Sequence, residues 1–164
     1  MSSTTAAATI GQLTAPNLAV EAENGVSYAH RRFGDSKAGS PPLVFLQHFR
    51  GNLDNWDPLL VDGLAAEREV VLLDNSGVGL STGKVPCTVT EMARDAISFL
   101  DALELDQVDL LGYSLGGMVA QELALLRPRM VRRLVLAGTG PRGGGHQMHG
   151  WIYDIDGGQQ LVEG

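Results

Sequence analysis

The chain has a single cysteine, Cys87, in 164 residues. No internal disulfide can form, and a reducing compartment, the cytoplasm, is the natural setting. Nowhere does an apolar run approach the ~18 residues that span a bilayer. The first eight residues are rich in Ser, Thr and Ala. They have neither a basic start nor a long apolar core, so they do not read as a secretory signal. Positive charge is scarce too: 12 Lys and Arg stand against 19 Asp and Glu, for a net charge of −7. A surface of that sign repels phosphate backbones and anionic lipid. Nucleic-acid and membrane-surface partners are therefore not expected.

What is present is a globular composition, with 44% hydrophobic and 19% charged residues, enough for one domain with a core. Residues 1–14 read as a flexible leader, 15–138 as the core, and 139–164 as a Gly-rich loop or the start of a lid. Leu18 to Val20 and Val26 to Ala29 flank Asn24-Gly25, a type I′ hairpin signal because both residues tolerate positive φ. His30 in this hairpin reads as a surface or edge residue. Beyond Gly39-Ser40-Pro41-Pro42, short apolar runs alternate with helical patterns. Strands are expected at 43–46, 70–74, 108–111 and 131–137. Helices are expected at 56–67, with Asp54 or Asn55 as N-cap, at 88–103, where Thr88 and Glu91 form a capping box, and at 115–126. The alternation predicts an α/β fold: a mainly parallel sheet of about six strands with helices on both faces. Ligands of such sheets bind at the carboxyl ends of the strands.

The sharpest motif is Gly112-Tyr113-Ser114-Leu115-Gly116-Gly117, set between a strand and a helix. A nucleophile elbow needs this context, because a tight turn lifts the serine hydroxyl above the sheet and leaves no room for side chains two residues to either side. Ser114 is the candidate nucleophile, with the helix N-terminus facing the developing oxyanion. The competing reading is a Gly-rich turn that packs closely for the fold alone. A second motif, Gln47-His48-Phe49-Arg50-Gly51-Asn52 with Trp56 after it, follows the strand 43–46. A third, Asp74-Asn75-Ser76-Gly77-Val78-Gly79-Leu80-Ser81, follows the strand 70–74. Asp74 and Ser81 are suited to knit that loop by side chain-to-backbone hydrogen bonds. Its glycines have no Walker lysine after them, which argues against phosphate binding.

Taken in order, the three motifs resemble the α/β-hydrolase superfamily, in particular its serine esterases and cofactor-free haloperoxidase-like members, over residues 17–140. The family's loop after the third strand usually reads His-Gly-x-x-Gly. Aligned on Gly51 and Trp56, Gln47 takes the usual histidine place and His48 the usual glycine place. The resemblance implies that the N–H groups of Leu115 and Phe49 form the oxyanion hole, supported by Gly112, Gly116, Gly117, His48 and Asp74. His48 is expected to be structural, bonded to neighbouring backbone. The implied activity is hydrolysis of a small-molecule substrate, an ester or a related carbonyl or carbon–carbon bond, through Ser114 with no cofactor and no metal. Haloalkane dehalogenases are disfavoured, since their nucleophile is aspartate.

In this family the acid and then the histidine follow the serine, each after a later strand. Neither strand is recognisable before Gly164, so the chain is expected to be an N-terminal part lacking both. The alternative is a catalytically inactive binding or regulatory module, a pseudoenzyme on the same scaffold. His146 and His149 in the Gly-rich tail could serve as a base, or with Asp154 and Asp156 as metal ligands, but a solvated loop is the favoured reading. Ser114 is expected at positive φ, with no histidine bonded to its hydroxyl. The strand 131–137 is expected to be a weak edge through which copies of the chain associate.

Overall fold

The computed structural model describes residues 10–35 and 40–141. Six strands form one sheet: β1 (Leu18–Glu21), β2 (Ser27–Gly34), β3 (Leu43–Leu46), β4 (Glu69–Leu73), β5 (Val108–Tyr113) and β6 (Val131–Ala137). Their order is β1-β2-β4-β3-β5-β6. The pairs β1–β2 and β2–β4 are antiparallel, while β4–β3, β3–β5 and β5–β6 are parallel. Each parallel crossover carries a helix: α1 (Pro58–Ala65), α2 (Val89–Ala102) and α3 (Leu115–Leu126). The α/β class, the strand count and the mainly parallel order are those expected from the alternating pattern.

Two apolar layers hold the sheet. Val44 and Leu46 of β3 join Val71, Leu73 and Leu110 beneath Phe99, Leu100, Ala120 and Leu123 of α2 and α3. On the opposite face Leu43, Phe45, Val70 and Leu72 pack with Val61 and Ala65 of α1 and with Trp56. Alternate residues of one strand serve opposite layers, so the run reads as apolar throughout. None of the described helices is long and apolar enough to cross a membrane.

Several local expectations change. The loop between β1 and β2 has Gly25 at φ 78, but Asn24 is not at positive φ. Ala22 N–H bonds Val26 O, and Gly25 N–H bonds Ala22 O. It is therefore a three-residue loop with glycine in the left-handed position, rather than a type I′ turn. Asn24 instead spends its side chain on the Val26 N–H, the Tyr28 hydroxyl and Asp95. The helix expected at 56–67 is split. A 3-10 turn covers Leu53–Asn55, and α1 starts at Pro58 with Asp57 as its N-cap, because proline suits the first helical position.

His30 is not a surface residue: it is 3% exposed, lies on β2 between β1 and β4, and packs edge-on against Phe99 of α2. Residues 10–14, read as leader, fold onto the core. Gln12 is fully buried, and its Nε2 donates to the carbonyl of Trp56 at 2.8 Å. Arg31 reaches from β2 to the Gln12 carbonyl, to Asn17 and to Asp54.

At the amino end of the parallel strands, Asp109 is buried between Arg68 and Arg132, the latter bidentate at 2.8–2.9 Å. Burial alone raises its carboxyl, but the hydrogen bonds and charges of the two guanidinium groups outweigh it and hold the group below 3.8. Its ionised form thus contributes stability at neutral pH that is lost as pH falls through the lowered value.

Burial also pushes the His30 imidazole below its ordinary 6.5, helped by Arg32 and opposed by the Tyr28 carbonyl. The unfolded chain then binds a proton that the folded chain refuses, so stability falls as pH drops below 6.5. Urea unfolding between pH 7 and pH 5 should show this loss, at no more than about 1.4 kcal/mol per pH unit from this one group. His30→Gln should flatten that segment of the profile; an unchanged slope would assign it to other groups.

Among the described residues nothing pairs with the outer edge of β6, where Val135 is 51% and Leu136 44% exposed. Unpaired donors and acceptors beside apolar side chains are a template for strand addition. Sedimentation velocity at rising concentration is expected to show self-association, weakened by a charged residue in Val135→Lys. A single monomer species at every concentration would contradict it.

Candidate active site

The sheet order reverses at β3: the chain leaves β3 through α1 towards β4 on one side, while β5 lies on the other and leaves through α3. The carboxyl ends of β3 and β5 thus flank a switch-point crevice. Ser114 sits there, between the last residue of β5 and the first of α3.

Its backbone is at φ 53, ψ −117, outside the helical and extended regions open to side-chain-bearing residues. Such a conformation costs on the order of 1–3 kcal/mol and persists only where its surroundings hold it. Here Ser114 N–H bonds Ala137 O at 2.9 Å, and Gly117 N–H bonds Ser114 O at 3.0 Å. The neighbouring glycines are required sterically. A methyl on Gly112 would lie 2.5 Å from the Gly116 carbonyl oxygen, and one on Gly116 would collide with the carbonyls of Leu46 and Gln47. A methyl on Gly117 would strike the Thr139 side chain. The start of α3 therefore rests directly on the end of β3.

The loop after β3 is built around Gln47, which is 2% exposed. Its Oε1 accepts the His48 N–H at 2.9 Å, and its Nε2 donates to the Asn52 carbonyl at 3.1 Å. Gly51 N–H closes a turn onto His48 O. His48 lies with Nδ1 2.8 Å from the Phe49 carbonyl and its ring edge-on to Tyr113. Phe45, Trp56 and Tyr113 continue this run of rings, with centroids 5.0 and 6.3 Å apart. The Phe49 side chain is 67% exposed. Neither the Phe49 nor the Leu115 N–H has an acceptor among the described residues.

Asp74 binds the two neighbouring loops together. Its Oδ1 accepts the N–H of Leu53 at 2.7 Å, and its Oδ2 that of Leu80 at 2.9 Å. The Ser81 hydroxyl donates to the Asp74 carbonyl and accepts the Ala29 N–H. The bond to Leu53, in a different loop, has no signal in the sequence. The loop-spanning bonds of Gln47 and the ring contact of Tyr113 have no signal there either, since glutamine stands where the family usually has histidine and any residue fits between Gly112 and Ser114. His146, His149, Asp154 and Asp156 lie outside the described residues. Among those described, no three His, Cys, Asp or Glu side chains cluster as metal ligands.

Residues 41–160 match the family model described as alpha/beta hydrolase fold. The chain belongs to the α/β-hydrolase fold family. An alpha/beta hydrolase fold protein from Chitinophaga pinensis superposes with a TM-score of 0.74 at 42% identity, over 77% of this chain and 45% of that one. A 2-hydroxymuconate semialdehyde hydrolase from Pseudomonas strain CF600 is 40% identical over 64% of this chain and 38% of its own length. RutD of Azorhizobium caulinodans, provisionally named a carbamate hydrolase, is 34% identical over 63% of this chain and 39% of its own length. The chain thus spans less than half the length of these relatives. In this member of the α/β-hydrolase fold family the strained serine, its flanking glycines and the loop after β3 meet at the carboxyl edge of the sheet.

Two substitutions separate strain from packing in the turn. Ser114→Gly should raise stability by about 1 kcal/mol, since glycine reaches positive φ freely. Gly116→Ala should lower it by about 1–3 kcal/mol, because the added methyl meets backbone that cannot step aside. Urea midpoints of both variants check the pair; a destabilised Ser114→Gly would mean that the turn is not strained.

Proposed function

We propose that this chain supplies the nucleophile and the oxyanion-binding groups of a serine hydrolase acting on an ester or related carbonyl compound. Ser114 Oγ attacks the carbonyl carbon, its proton passes to a general base, and the carbonyl electron pair moves onto oxygen. The N–H groups of Leu115 and Phe49 receive that oxyanion. As the tetrahedral intermediate collapses, the bond to the alcohol or amine breaks and the leaving group takes the proton from the base. Water then clears the acyl group from Ser114. The chemistry calls for no cofactor. The exposed Cys87 fits a reducing compartment, and the cytoplasm is proposed on that ground.

The observation that carries the reading is the φ 53, ψ −117 backbone of Ser114 between Gly112 and Gly116. Packing alone would favour glycine at such a position, so a side chain kept there against strain argues for a use of its hydroxyl. The names of two relatives contain carbamate and semialdehyde, both with a carbonyl carbon as electrophile.

A serine nucleophile also requires a base and a carboxylate to orient it. The Ser114 hydroxyl has no hydrogen-bond partner among the described residues, and in this reading both groups lie outside them. The same observation favours a second reading, a non-catalytic binding module on the hydrolase scaffold.

Incubation with a fluorophosphonate, followed by intact-mass and peptide analysis, separates the two. An oxyanion hole without a base retains part of the rate enhancement. Slow single-site labelling at Ser114, absent in Ser114→Ala, together with weak turnover of p-nitrophenyl acetate, is expected for the hydrolase. A folded chain whose Ser114 stays unlabelled would favour the binding module.

A further inference from the structure

The turn His48–Gly51 holds a residue that the oxyanion-hole chemistry does not use. Arg50 is its third residue and stands at φ 64, while Phe49 before it is not at positive φ. This is a type II arrangement, in which the third position favours glycine. A long cationic side chain is therefore kept at a place where glycine would be easier, in the loop that borders the nucleophile. That adjacency is fixed by two contacts: the His48 ring lies edge-on to Tyr113, the residue before Ser114, and the start of α3 packs on the Gln47 carbonyl.

The charge of Arg50 is also uncommitted. Arg31, Arg32, Arg68, Arg127 and Arg132 each pair with a carboxylate. Arg50 is exposed and has no such partner among the described residues. The carboxylates of the neighbouring loops are occupied elsewhere. Asp54 pairs with Arg31, Asp57 caps α1 through the Leu59 N–H, and both oxygens of Asp74 accept backbone N–H groups. Like Arg94, Arg129 and Arg133, Arg50 has no carboxylate partner among the described residues, but it alone of these lies in the loop that borders Ser114.

We infer that Arg50 recognises a carboxylate on the substrate, so that the carbonyl compound attacked by Ser114 is an anion. The inference rests on the reading of Ser114 as nucleophile and narrows it to a substrate class. A guanidinium offers a planar pair of donors that matches the two oxygens of a carboxylate, whereas an ammonium acts only as a point charge. Arg50 binds and orients the substrate and takes no part in proton transfer.

Calorimetric titration of the full chain with succinate, and with neutral succinamide as control, tests the binding directly. Succinate should bind better than succinamide and weaken as salt is added. Arg50→Gln should weaken it at least tenfold, with Arg50→Lys between the two. Equal binding of the two probes, or equal succinate affinity in wild type and Arg50→Gln, overturns the inference. Arg50→Gly, which relieves the turn, guards against misfolding and should behave like Arg50→Gln. In parallel, acylation by a p-nitrophenyl ester bearing a terminal carboxylate is compared with that by its neutral analogue. The ratio of the two rates should fall about tenfold in Arg50→Gln, and an unchanged ratio counts against Arg50. Ester reactivity that is the same in wild type and Ser114→Ala would sink the nucleophile reading alone, leaving the succinate titration to judge Arg50.

Discussion

The arrangement depends on a missing carbon atom. With no Cβ on Gly116, the first turn of α3 lies against the carbonyls of Leu46 and Gln47. That contact sets the distance between the end of β5 and the loop after β3, and everything at the crevice follows from it. Ser114 is pressed into its strained turn, and Tyr113 is brought against His48. Gly112 and Gly117 extend the same constraint backward to β5 and forward to the residues after β6. A side chain at any of the three would push the helix away and separate parts that serve chemistry only when close.

The rest of the site is held from outside by amides and carboxylates bonded to backbone. Gln47 spans its loop from the His48 N–H to the Asn52 carbonyl, Asp74 ties the 3-10 turn to the next loop, and Gln12 reaches the Trp56 carbonyl from the amino-terminal segment. Such bonds inside a water-poor interior are costly to leave half-made, so each fixes one loop path among many. Asp109 does comparable work at the far end of the sheet, where two guanidinium groups join β5 to the segments before β4 and along β6.

Much of this was legible in the residues themselves. The apolar runs marked the parallel strands because both faces are covered. The Thr88–Glu91 box marked the start of α2, and Gly-x-Ser-x-Gly after a strand marked the turn. What stayed hidden depends on contacts between distant segments. In β2 the residues Tyr28, Ala29, His30 and Arg31 are all buried, so no alternation distinguishes an inward histidine from an outward one. Gln12 and Gln47 look like solvated loop residues until the backbone groups they bind are known. Asn-Gly indicated a turn correctly, but its type was set by Asn24 bonding the Val26 N–H and Tyr28 instead of entering the left-handed region.

The buried Gln12 bears on where this unit begins. Hydrophobic patterning places the boundary near residue 15, yet the amide that props up the Leu53–Trp56 stretch lies before it. Arg31 fastens the same peptide from the other side through the Gln12 carbonyl. A shortened version starting at the first strand would keep every strand and helix, and its circular dichroism would look intact. It would nonetheless lose the prop beneath the Leu53–Trp56 stretch, which follows directly on the loop that carries Phe49. For anyone trimming or fusing this protein, the first residue to preserve is set by a hydrogen bond to the Leu53–Trp56 stretch and not by the edge of the sheet.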